Sequence, residues 1–280
     1  MTQGTYMKRI VKICTLLPLL FICIITSFDD TRAAALRVVA GTSLISDIVR
    51  DLTAGECELK ILIQGSSCPG HDDVKTKDFV FAANADLVLL HAFQRNIPQF
   101  KTMLQSIEKQ DHVAFIEEKG SWLIPEHQKA VSRKIAEVLI AVAPDRKEAI
   151  LRQCEARIAR IDSVNEDCRE RLASVKGKSV AAAKMQEEFV RWAGFDVLLA
   201  YGRAEDMNAK KLASMIRELH GRKLAGIVDN IQSGAEAGLP LAEELGVPHT
   251  ALSNFPDSDP SVPDYFSLLK SNVDKLAGLR

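Results

Sequence analysis

The chain lacks an excess of charge of either sign, with 36 Lys and Arg against 37 Asp and Glu. It also has no run of basic residues interleaved with aromatics, so it lacks the electrostatic footprint of a nucleic-acid partner. The motifs of common hydrolytic and nucleotide chemistry are missing as well: no Gly-x-Ser-x-Gly elbow, no phosphate-cradling glycine loop and no His-Glu-x-x-His. Cysteine is scarce. Beyond residue 35 only Cys57, Cys68, Cys154 and Cys168 remain, too few for a scaffold that depends on disulfides. Cys57 and Cys68 flank a strand of roughly 20 Å, whereas a bridge needs Cα atoms within about 7 Å, so that pair is not expected to bond. The longest apolar run, from about Ile13 to Ile25, falls short of the ~20 residues that span a bilayer.

That run follows Lys8, Arg9 and Lys12 and precedes the small-residue stretch Ala33-Ala34-Ala35. The pattern is that of a cleavable secretory signal peptide over residues 1–35, which predicts a soluble periplasmic protein starting near Leu36 with a mild acidic excess. With 47% hydrophobic residues in 280, the chain beyond the signal peptide can bury a substantial core.

From Leu36 the chain alternates short apolar runs with helical segments. Strands are predicted over 36–40, 59–64, 86–91 and 113–117, with helices over 44–52, 77–85 and 99–109. After Gly177 the alternation resumes, with strands over 179–184, 197–201, 225–228 and 250–253. Helices there are predicted over 187–193, 209–219, 235–245 and 265–276. Proline-free strands rich in Val, Leu and Ile, separated by helices, indicate parallel sheets wrapped by helices. Between the two sets, Pro125 opens one helix, and a second, starting at Ala143-Pro144, carries the apolar stripe Leu151, Cys154, Ile158, Ile161, Cys168 and Leu172. It is predicted to run about 32 residues, or roughly 48 Å. Cys154 and Cys168 read as buried small hydrophobes on this stripe. The fold class is therefore α/β: an N-terminal lobe (36–143), a long connecting helix (144–176) and a C-terminal lobe (177–280).

Candidate site residues lie where strands end, because open α/β sheets bind ligands at their carboxyl edges. The loop Gly65-Ser66-Ser67-Cys68-Pro69-Gly70-His71-Asp72-Asp73 follows the second strand and places a Cys-x-x-His pair of metal donors, Cys68 and His71, in one turn. His91 closes the third strand. Glu117, Glu118, Met185, Gln186 and Asp229 follow other strands, while His112, His220 and His249 read as surface positions.

With these elements in order, the chain resembles the substrate-binding proteins of metal-importing ABC transporters, the zinc and manganese family. The markers are Val38-Val39-Ala40-Gly41-Thr42-Ser43 leading into Ile45-Ser46-Asp47-Ile48-Val49, Pro69-Gly70-His71 followed by Asp78, Asn84-Ala85-Asp86-Leu87-Val88, and the closing 265–276 segment. The resemblance implies two lobes held on a rigid helix and no enzymatic activity. It also implies a divalent zinc or manganese ion in the cleft, and a monomer that serves a membrane permease and its ATPase. Of the family's usual ligands only the loop histidine, His71, is plainly present. Gly120 stands two residues before Trp122 where a second histidine belongs, the third position falls on Ala183 or Lys184, and the fourth falls near Ser253. A rearranged metal site of His71, His91 and Asp229 is therefore expected. The alternatives are a binder of a metal chelate or other small ligand on the same scaffold, and a periplasmic α/β enzyme.

Overall fold

In the computed structural model, residues 35–67 and 74–279 are described; the signal-peptide reading of residues 1–35, apart from Ala35, and Cys68 and His71 lie outside them. Two four-stranded sheets, parallel throughout, form the frame. The first contains β1 (Leu36–Thr42), β2 (Cys57–Ile63), β3 (Leu87–His91) and β4 (Val113–Ile116) in the order β2-β1-β3-β4. The second contains β5 (Ser179–Ala183), β6 (Asp196–Tyr201), β7 (Gly226–Asn230) and β8 (His249–Leu252) in the order β6-β5-β7-β8. The two orders are the same. Each sheet reverses its winding between its first and third strands in sequence, which places a switch-point crevice beyond the carboxyl ends of β1 and β3 and another beyond those of β5 and β7.

Helices α1 (Ser43–Leu52), α2 (Thr76–Ala83) and α3 (Pro98–Gln105) belong to the first sheet. They are followed by α4 (Pro125–Val142) and the long α5 (Lys147–Leu172). Around the second sheet come α6 (Glu187–Trp192), α7 (Ala209–Leu219), the single turn α8 (Ile231–Gly234), α9 (Leu239–Leu245) and α10 (Tyr265–Ala277). The helix expected over 235–245 thus begins only at Leu239: residues 235–238 are turns, Gly238 is the N-cap, and Pro240 sits in the first turn, where its missing N–H costs nothing. The long helix has 26 residues, about 39 Å, with 3-10 turns at Pro144–Arg146 and Ala173–Val175 extending it at either end. No helix among the described residues is long and apolar enough to cross a membrane.

One continuous core runs from β1 and α1 through α4, α5 and α10 to β5 and β7, while separate apolar layers cover the other face of each sheet. The buried stripe of α5 differs from the predicted one. It uses Ile150 in place of Leu151 and includes Val164, and it carries a charge, Arg157, 3% exposed. Cys154 and Cys168 are buried free thiols, as expected, and burial pushes Cys168 up to about 11.

Arg157 is the polar centre of this core. Its Nη2 donates to Asp47 Oδ2 at 2.7 Å, Nη1 donates to Asp51, and Nε donates to Ser132 Oγ at 3.2 Å. The guanidinium also lies 5.2 Å from the centre of the Phe266 ring. One side chain therefore ties α5 to α1, α4 and α10. Burial pushes the Asp47 carboxyl above its usual range despite the attraction of Arg157, which shows how much hydration the pair has given up. Removing one partner of a buried pair strands the other, so Arg157→Met should lower unfolding stability by about 3–5 kcal/mol. Chemical denaturation checks this, and Asp47→Leu added to Arg157→Met should recover part of the loss.

Candidate functional site

The carboxyl edges of the two sheets face a shared cavity of about 470 Å³. From the first lobe it is lined by His91, Phe93, Trp122 and Glu118, among others, and from the second by Lys184, Met185, Glu188 and Asn254. His91, the last residue of β3, packs between the rings of Trp122 and Phe93, with centroids at 4.1 and 5.1 Å. Its Nε2 lies 2.8 Å from Thr42 Oγ1, and Thr42 is also the N-cap of α1, accepting from Ile45 N–H at 3.4 Å. The His91 backbone N–H donates to Gln94 Oε1, and Gln94 Nε2 donates to Gly41 O. The imidazole is thereby fixed across the switch point of the first sheet. Burial lowers its pKa to about 3, which leaves the ring neutral at physiological pH.

The two lobes are stitched together around this cavity. Ser43 Oγ donates to Pro256 O at 2.7 Å, Tyr265 Oη donates to Leu123 O at 3.0 Å, and Gln232 Nε2 donates to Gly65 O at 2.7 Å. Gly65 is a glycine of necessity, since a Cβ there would stand 1.9 Å from Pro256 O. Glu188 of α6 reaches across to accept from Ser121 N–H at 2.6 Å, with its other oxygen 4.0 Å from His127 Nδ1. This contact crowds Gly120. Gly120 has φ +87°, and a Cβ on it would fall 2.4 Å from Glu188 Oε1 and 2.5 Å from His127 Cε1.

Asp229 stands apart from the cavity. It shares a face of β7 with Ile227, whose apolar neighbours belong to α7 and α9, whereas Val228 faces the continuous core. Its Oδ1 accepts from Tyr201 Oη at 2.7 Å, and its Oδ2 accepts from Gly238 N–H at 2.8 Å and lies 2.7 Å from His249 Nε2. Burial, reinforced by this carboxylate, pushes the Tyr201 phenol far above its ordinary value. His249, read from sequence as a surface residue, is thus a partner of Asp229. Asp229 does not line the cavity with His91; alternation along β7 puts it on the face covered by α7 and α9. Sequence reasoning also missed Glu188, whose partner Ser121 lies 67 residues away along the chain.

Among the described residues no group of three or more His, Cys, Asp and Glu side chains could hold a metal ion. The arrangement instead offers one neutral imidazole, two carboxylates engaged by Lys134 and Ser121, and the cation of Lys184.

Two parallel-sheet lobes on a long helix, with a lined cavity between their carboxyl edges, define a cleft-type solute-binding protein. Over residues 38–278 the chain matches, and belongs to, the family described as ZnuA, zinc-uptake complex component A, periplasmic. It is 20% identical to the manganese ABC transporter substrate-binding lipoprotein PsaA of Streptococcus anginosus, across 89% of this chain and 90% of that one. It is also 20% identical to the iron ABC transporter substrate-binding lipoprotein MtsA of Streptococcus pyogenes serotype M1, across 92% and 93%. In structure it superposes on a periplasmic metal-binding protein from Candidatus Liberibacter asiaticus with a TM-score of 0.73 at 15% identity, covering 86% of this chain and 97% of the other.

The depressed pKa of His91 predicts a pH dependence of stability. The unfolded chain binds a proton on this residue near 6.5 and the folded one only near 3, so stability is full above 6.5 and is lost as pH falls towards 3. Between pH 7 and pH 5 this group should remove about 2 kcal/mol of unfolding stability. Denaturant titrations at the two pH values should show that loss in the parent and its absence in His91→Gln.

Proposed function

We propose that this protein is the periplasmic solute-binding component of an ABC importer: it captures a divalent transition metal, zinc or manganese, in the cleft between its lobes and delivers it to the membrane permease and ATPase. Membership of a family of transporter substrate-binding proteins supports this reading over an enzyme. The observation that carries it is His91, a neutral imidazole at the switch point of the first sheet. A hydroxyl on one ring nitrogen fixes the ring and turns the other towards a metal, and a ring that needs no deprotonation loses no affinity to competing protons.

His71 is the second proposed donor. Gly65, tight against Pro256, the residue that follows Phe255 of the cavity wall, lies six residues before it, within about 20 Å of extended chain. On the other side Asp78 fixes the start of α2, accepting from Lys75 N–H at 2.9 Å with its other oxygen 2.7 Å from Lys60 Nζ. Asp229, the third residue of the expected site, enters this proposal as a support of the second lobe, since ligating a metal would break its bonds to Tyr201 and Gly238.

Calorimetric titration of the full chain with zinc tests the assignment. His71→Ala and His91→Gln should each weaken binding at least tenfold, or about 1.4 kcal/mol, while Asp229→Asn should lower the melting temperature and leave zinc affinity near that of the parent. Parental zinc affinity in both histidine variants would remove the cleft as the capture site.

A further inference from the structure

The described wall of the cavity does not converge on a naked ion, since no group of three or more His, Cys, Asp and Glu side chains among the described residues could hold one. A zinc ion is held by donors converging at about 2.0–2.3 Å, whereas about 470 Å³ lies within the range of pockets for small organic molecules. Much of the wall is apolar. Phe93 and Met185, on opposite lips, are each 49% exposed, a large solvent contact for two apolar side chains that line the same opening.

The charges of the wall point the same way. Glu118 Oε2 lies 2.7 Å from Lys134 Nζ, and Glu188 is occupied by Ser121 N–H. Lys184 is different. It follows β5 directly, its backbone N–H donates to Tyr201 O, and its ammonium has no ion-pair partner among the described residues. A free ammonium repels a bare divalent cation and attracts a carboxylate. Asn254, held by Gln186 Nε2 at 3.0 Å, adds a fixed amide to the same wall.

We infer that the cargo enters this cleft as a complex of the metal with a small carboxylate chelator, whose carboxylate pairs with Lys184 and whose apolar face lies between Phe93 and Met185. The inference rests on the metal-capture reading and adds the chelator to it. The chelator supplies donors that the described part of the cleft lacks, and His91 needs to replace only one of them. The exchange is one of ligands alone: a bond from the metal to water or chelator breaks as a bond to imidazole forms.

Calorimetry on the full chain separates the terms, with zinc chloride alone, pyridine-2-carboxylate alone and the two premixed in equal amounts as titrants. The premixed complex should bind at least tenfold more tightly than zinc alone. Lys184→Gln, at an exposed turn position, should weaken the complex about tenfold while tightening the binding of zinc alone, opposite signs that a general loss of structure would not produce. If zinc alone binds as tightly as the complex and Lys184→Gln changes neither, the chelator is wrong and metal capture stands. If pyridine-2-carboxylate alone binds as tightly as the complex, both the inference and the metal-capture reading fall.

Discussion

The rest of the structure depends on the buried cluster around Arg157. An arginine in the middle of a long helix is stripped of water and balanced by Asp47 and Asp51 of α1, with Ser132 of α4 and Phe266 of α10 completing its shell. Charges in such a setting cannot separate without an uncompensated ion remaining in the core, which makes the relative placement of these helices stiff. That stiffness reaches the cleft through α1. The same helix that Arg157 grips begins at Thr42, and the Thr42 hydroxyl both caps it and holds His91. The orientation of the imidazole is therefore set by an ion pair in the core as well as by local contacts.

The two sheets repeat one topology, yet the residues at equivalent strand ends differ in chemistry. At the switch point of the first sheet stand Thr42 and His91, a hydroxyl and a neutral imidazole. At that of the second stand Lys184 and Asn230, a cation and an amide whose Nδ2 is 3.2 Å from Gln232 Oε1. One half of the cleft presents a hydroxyl and a neutral imidazole, the other a cation and amides. The Gly120 position explains part of the asymmetry. With no side chain there, Glu188 docks against Ser121 and His127, so a carboxylate of the cavity wall also serves as a bridge between lobes.

Much of the fold was legible because parallel strands buried on both faces read as apolar runs, and all eight appear within two or three residues of their expected bounds. His91 was legible for the same reason, since the end of a strand is a position that sequence can locate. Asp229 was not. The run Ile227-Val228-Asp229-Asn230 gives no sign of which alternate face meets the cleft, and the answer comes from Tyr201, Gly238 and His249, brought together by the second sheet and its connections. Arg157 was hidden by the opposite problem: a charged residue at stripe spacing reads as the solvated face unless its partners, 106 and 110 residues away, are known. The bridge through Glu188 also depends on contacts between lobes, which local sequence does not encode.

In the chelate proposal the protein supplies only part of the coordination of its cargo. Zinc K-edge X-ray absorption on the full chain, loaded with zinc in the presence of pyridine-2-carboxylate, measures that shell directly. One or two protein imidazoles are expected, with the remaining light-atom donors coming from the chelator or water. A closed shell of four protein donors, or one with three or more imidazoles, would contradict it.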